Sequence, residues 1–136
     1  VYILGFFIFH VRQIIKRITN MSEKLDKGKK GEDYAIHFLK QKGFELVTRN
    51  FTSRNSEIDL IVTKDDLLVF VEVRLKATAD YGYPETTLSK AKMNAIKRGA
   101  EEYLHRNPWH GEARFDMVSI IEYPIFELVH FEDAFF

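Results

Sequence analysis

Two strongly apolar runs, EIDLIV at 57–62 and LLVFVEVRL at 67–75, flank the polar turn Lys64-Asp65-Asp66, and each holds an acid in its interior. Their composition and length read as neighbouring antiparallel strands. A turn of two or four residues centred on Asp65 and Asp66 makes opposed residues sum to 131, which sets Asp59 across from Glu72. Side chains so opposed have Cβ atoms about 4.5–5.5 Å apart, and like charges there repel. Both acids sit among apolar neighbours, so solvation is a poor remedy and a cation is expected. A divalent metal held by carboxylate oxygens is one solution, and magnesium favours such oxygen ligands with positions left for water and phosphate. A salt bridge to Arg74 or Lys76, or a raised pKa on one acid, is the other. By the same sum Arg74 faces Glu57, which offers that arginine a structural partner.

A third acid stands out on a helix. Residues 31–42 carry Ala35, Ile36 and Leu39 on one stripe, and at about 100° per residue Glu32 falls in its middle. It either points toward the sheet or sits in a solvated first turn, where the helix dipole favours an acid. Glu72, Arg74 and Lys76 alternate onto one strand face, so acid and base are presented together. Lys92 falls within the apolar stripe of a second helix, as a snorkelling lysine or a phosphate contact.

The remaining chain supplies a frame for these residues. The patterns predict helix at 31–42 stopped by Gly43, strands at 44–50, 57–62 and 67–76, a loop at 80–87, helix at 87–104, and strands at 115–121 and 125–131. That order predicts one α/β domain, a mixed sheet flanked by helices. A length of 136 residues fits one domain. The absence of Cys excludes disulfide scaffolds, cysteine-ligated zinc and thiol nucleophiles. The five histidines have no HExxH spacing, and neither a G-x-S-x-G elbow nor a phosphate-cradling Gly-rich loop is present.

Net charge is zero but unevenly spread. Residues 1–20 carry Arg12, Lys16 and Arg17 with no acid; residues 21–100 have fifteen basic against twelve acidic residues, and 101–136 two against eight. A polyanion would therefore meet the middle of the chain, and Lys30, with its neighbours Lys24, Lys27, Lys29, Lys40 and Lys42, is a candidate phosphate-contacting face. Val1–Phe9 is too short to span a bilayer, which needs about twenty apolar residues. Its charges follow the apolar run rather than precede it, unlike a secretory signal. Residues 1–20 read as an interfacial helix with Phe7, Val11, Ile14, Ile15 and Ile18 on one face, or as sequence upstream of a start at Met21. The second reading is favoured, leaving 21–136 as the working domain, in the cytoplasm and without membrane association.

The segments GKKGEDYAIHFLKQKGFELVTRNF, SEIDLIV, LVFVEVR, RFDMVSI and HFEDAF resemble, in order, the YraN-like family of small bacterial proteins. That family is regarded as endonuclease-like and similar to archaeal Holliday-junction resolvases of the PD-(D/E)xK superfamily. The resemblance covers about residues 28–135 and implies a restriction-endonuclease-like core, magnesium or manganese as cofactor, and DNA as substrate, with branched or single-stranded forms among the candidates. It implies that Glu32, Asp59 and Glu72 bind the metal, that Asp59, Glu72 and Arg74 are catalytic, and that Lys92 is the second-helix lysine. Lys76, on the same strand face, is a substitute for the basic residue. The chain departs from the pattern at Arg74, where superfamily enzymes usually have lysine, at Ser56 for a usual Gly, and at Met93 for a usual Gln. Arginine does not readily release a proton and so is no general base. A two-fold homodimer is the assembly that resolvase similarity implies. The rival expectation is a non-catalytic DNA-binding or assembly module that retains the nuclease fold.

Overall fold

The computed structural model describes residues 2–134; for residues 2–11 and Leu25 it describes the backbone only. The chain divides into two compact units, Val1–Lys30 and Gly31–Phe136. Helix α1 is assigned over Tyr2–Gln41, so its residues from Gly31 onward belong to the second unit. In the first unit Ile14, Ile15, Ile18 and Met21 are exposed. Phe7 and Val11, which complete the apolar stripe expected there, have side chains outside the described residues. Among the described residues no helix is long and apolar enough to cross a membrane.

The second unit is an α/β domain built on a five-stranded mixed sheet, compatible with a restriction-endonuclease-like fold. The strands are β1 (Glu45–Ser53), β2 (Ser56–Lys64), β3 (Leu67–Lys76), β4 (Glu112–Ile121) and β5 (Glu127–Phe131), and they lie in sequence order across the sheet. All neighbours are antiparallel except β3 and β4, whose parallel pairing runs unbroken from Leu67↔Glu112 to Lys76↔Ile121. A parallel pair needs a crossover. Here it is a loop, a short 3-10 turn at Pro84–Thr87 and helix α2 (Lys90–Arg106), capped by Ser89 Oγ accepting from the Lys92 amide at 3.1 Å.

Each face of the sheet buries its own core. Ala35 and Leu39 of α1 pack with Phe44, Leu60, Val62, Val69, Val71, Val118 and Ile120. On the other face Ile96, Ala100 and Tyr103 of α2 pack with Ile58, Ile61, Leu68, Phe70 and Met117. The α1 face is closed by a Schellman stop: Gly43 (φ 93°) donates to Lys40 O, Phe44 donates to Leu39 O, and Phe44 packs in the same core as Leu39.

The β2–β3 turn has two residues, Asp65 and Asp66, and the pairs from Lys64↔Leu67 to Leu60↔Val71 all sum to 131, the register expected from the sequence. β1 and β2 form a second tight hairpin through Arg54-Asn55, longer than the separate strands expected there. Asn55 (φ 27°) and Asp65 (φ 52°) take the left-handed turn positions that Asn and Asp tolerate. Helix α2 starts three residues later than the pattern suggested, because Thr87 belongs to the 3-10 turn and Ser89 supplies the cap.

An acid outside the expected set holds the far end of the sheet. Asp116 is fully buried on β4 and accepts from Arg114 Nε (2.8 Å) and Nη2 (2.9 Å), His130 Nε2 (2.8 Å) and the Asp133 amide (3.0 Å). Lys42 Nζ lies 2.8 Å from His130 Nδ1. An ammonium only donates, so Nδ1 accepts and the Nε2 proton faces Asp116, which fixes the tautomer of a neutral ring. Burial works to raise the Asp116 pKa, but the bonds from His130, Arg114 and the Asp133 amide overcome it and hold the carboxyl below its ordinary value. A lowered pKa gives stability that is present above the unfolded value and lost as pH falls through the folded one. Asp116→Asn is therefore expected to cost about 3–5 kcal/mol in urea unfolding at neutral pH, and its deficit against the parent should shrink as the pH is lowered below about 4.

Candidate active site at the break in strand β2

The β2–β3 ladder ends at Leu60↔Val71, one residue short of Asp59, and the β1–β2 ladder steps over Asp59 from Arg49↔Leu60 to Phe51↔Ile58. Asn50, the residue skipped on β1, has φ 53°. Alternation slips at the same point. Leu60 and Val62 face α1, whereas Ile58, which a regular strand would place beside them, faces α2 with Ile61. β1 makes the matching switch: Phe51 packs on the α2 side, while Arg49, two residues away, reaches Glu32 of α1. Asp59 thus sits at a paired kink with main chain freed around it. Its Oδ2 accepts from the Val73 amide at 2.8 Å and replaces a strand partner that β3 would otherwise lack.

Glu72 follows from β3, on the face that carries Leu68 and Phe70 toward α2, and is only 4% exposed. Its Oε2 is buried and receives no N–H or O–H donor from the scaffold, and the side-chain hydrogen bond of the carboxyl is with Asp59. Arg74 Nε approaches Oε1 to 3.1 Å, yet is not aligned to donate a hydrogen bond. The arginine therefore supplies charge without a directed contact. Its ion pair is with Glu72, not with Glu57 as the extended register offered, because the two strands separate beyond Leu60.

Burial, then the charge of Asp59, pushes the Glu72 carboxyl from its ordinary 4.5 up to about 8, against the pull of Lys92 and Arg74. Asp59 is also raised, by burial first, with the Val73 bond and Lys92 opposing and the charge of Glu32 adding to it. The Arg74 ion pair and the charge of Lys92 do not offset burial and the neighbouring acid, so the Glu72 carboxyl keeps its proton at neutral pH. This is the electrostatic state of a site short of positive charge.

Glu32 is buried at 8% exposure, but three contacts converge on its Oε2: Arg49 Nη2 at 2.7 Å, Arg49 Nε at 3.2 Å and Asn50 Nδ2 at 3.2 Å. Arg49 Nη1 also reaches Asp33 at 3.0 Å. The helix comes this close to β3 because the preceding residue is Gly31; a Cβ there would lie 3.2 Å from Leu75 Cβ and 3.5 Å from Val73 Cγ1. Among the described residues no three acidic or imidazole groups converge as metal ligands. Asp59 and Glu72 come together; Glu32 stands within electrostatic reach but is occupied by Arg49. Lys76 donates to Gly82 O at 3.1 Å and ties down the loop after β3. Lys92 is half-buried at the start of α2, close enough for its charge to act on both acids. Lys30 is exposed and is the last residue of the first unit.

Arg49 and Asn50 were not singled out by sequence pattern. Exposed arginines are common on strands, and only the φ of Asn50 reveals the kink. Asp116 did carry a signal, since RFDMVSII embeds an acid in an apolar strand just as EIDLIV does.

Residues 31–120, which contain every element described around the kink, match the family described as "Uncharacterised protein family UPF0102". The chain belongs to this family. It is 38% identical over 117 residues to a UPF0102 protein of Flavobacterium psychrophilum, covering 85% of this chain and 98% of that one. A UPF0102 protein of Chloroherpeton thalassium is 37% identical over 125 residues, covering 85% and 97% of the two chains. One from Persephonella marina is 41% identical over 110 residues, covering 80% and 92%. UPF0102 is the family that the sequence segments resembled, and its matched region spans Glu32, Asp59, Glu72, Arg74 and Lys92.

The raised carboxyl of Glu72 has a measurable consequence for this UPF0102 protein. The folded state holds a proton that the unfolded state releases above about 4.5, so stability in the absence of divalent metal should fall as pH rises from about 5 through about 8. Glu72→Gln is neutral throughout and should flatten that slope. Thermal unfolding in chelator at several pH values should find the variant gaining on the parent toward pH 8; parallel curves would contradict the assignment.

Proposed function

We propose that this UPF0102 protein is a magnesium- or manganese-dependent endonuclease-like protein acting on DNA phosphodiester bonds, with its site at the break in β2. The observation that carries the reading is Glu72 Oε2, buried without a scaffold donor, on a carboxyl whose hydrogen-bond partner is a second acid. A buried acid pair with an orphaned oxygen fits a divalent ion, and Mg2+ is characteristically held by one or two carboxylates while keeping waters and substrate phosphate as its other ligands. Asp59 and Glu72 would hold it, and Glu32 would join if Arg49 released it. When bound, such an ion neutralises charge at the phosphorus centre and acidifies a water.

The protein's own groups have separate tasks in this reading. Asp59 keeps Oδ2 on the Val73 amide, which orients its carboxylate. Arg74 and Lys92 place positive charge beside the acids, where negative charge develops on a phosphate in transit. Arg74 stays protonated, so its part is to offset charge and not to take the proton of the attacking water, which would leave to solvent. Lys76, engaged with Gly82, would need the loop to move before it could serve.

A second reading has its own observation. Arg74 already pairs with Glu72, which suits a DNA-binding or assembly module in which cation and acid offset each other without metal. The two separate cleanly. Isothermal titration of Mg2+ or Mn2+ at pH 8 should give binding to the parent that weakens at least tenfold in Asp59→Ala and Glu72→Ala, and should release protons more strongly near neutral pH. Labelled linear, single-stranded, flap and four-way DNA should be cut only with metal, and cutting should drop at least a hundredfold in either variant. Undiminished cutting by the variants would remove the enzyme reading; absent metal binding together with intact DNA binding would establish the second.

A further inference from the structure

A cleft of about 490 Å3 opens between the β1–β2 turn and the start of α2, lined by Thr52, Ser53, Arg54, Asn55, Ser56, Glu57 and Lys92. Its lining residues are all polar or charged, with two cations against one acid. Among the described residues the Arg54 guanidinium is exposed and has neither an ion pair nor a hydrogen bond, and the Lys92 ammonium has no direct bond to an acid. The walls are fixed to each other: Ser56 Oγ donates to Ala95 O of α2 at 2.6 Å, and Gly99 leaves the room that Ser56 occupies. Ser56 and Glu57 of the cleft lie on β2 three and two residues before Asp59, and Lys92, also of the cleft, acts on both acids, so the cleft opens beside the acid pair.

No apolar or aromatic residue lines this space, so a base would find no ring to stack on. Hydroxyls, a side-chain amide and two cations are instead what a phosphodiester attracts. We propose that the cleft is a subsite for a backbone phosphate of the DNA strand neighbouring the scissile one, with Arg54 as its outer cation and Lys92 shared between the two phosphates. The inference rests on the nuclease-like reading above and adds to it the way the strand is held. Because the contacts go to phosphate alone, the grip is independent of base sequence.

The test uses the full chain without divalent metal and binds fluorescent DNA oligonucleotides of two unrelated sequences across a salt series. Arg54→Ala, at an exposed turn tip, should weaken binding several-fold for both sequences and lower the slope of log K against log salt by about one. Arg54→Lys should keep the slope. A single methylphosphonate walked along the strand should, at one position near the cut site, weaken the parent by the same factor and leave Arg54→Ala unchanged, the signature of a direct partner. If the parent binds DNA while Arg54→Ala matches it in affinity and slope, this subsite is wrong and the acid-pair reading stands. Failure of the parent to bind any DNA would overturn both.

Discussion

Strand β2 leaves its ladders at Asp59, and the arrangement of the site depends on that gap. A regular strand would put Ile58 and Leu60 on one face and extend pairing with β3 toward Glu57. The kink instead turns Ile58 to the α2 core and lets Asp59 take the Val73 amide. Unpaired buried amides are costly, so a side-chain acceptor at this point holds together a sheet end that would otherwise be short of bonds. The same gap leaves Asp59 beside Glu72.

Three buried or half-buried strand acids allow a direct comparison. Asp116 receives bonds from a guanidinium, an imidazole and an amide, and its pKa is lowered. Glu72 receives a misaligned arginine and a neighbouring acid, and its pKa is raised. The environments are alike in burial and opposite in satisfaction. A buried acid whose bonds are complete serves the scaffold, tying β5 and the following turn to β4. One whose bonds are missing retains capacity for something else, which is why Asp59 and Glu72, and not Asp116, carry the functional argument.

Much of this was legible in sequence because it rests on period and register. Alternation and a two-residue turn were enough to set the register up to Leu60↔Val71, the pair next to the two acids, and Gly43 marked the end of α1. Helical spacing turned Glu32 and Lys92 toward the sheet. What escaped depends on geometry that no period encodes. The β1–β2 hairpin extends past its apolar patterns, because Thr52 to Ser56 are polar and carry no alternation. The capture of Glu32 by Arg49 arises from the register shift between Leu46 and Thr48, which puts Arg49 opposite Leu60 on the α1 face. Asp116 is as anomalous in sequence as Asp59, but its partners, Arg114, His130 and the Asp133 amide, are brought together by β5 and the turn after it, which no strand period encodes.

The bond between Asp59 and the Val73 amide joins scaffold to chemistry. A carboxylate that accepts from the main chain grips it more firmly than its neutral form does. Whatever changes the charge on this side chain, whether proton, ion or bound anion, must also alter how tightly the neighbouring backbone is clasped. Occupancy of the centre and stiffness of the sheet's open end are consequently linked quantities, and each reports on the other.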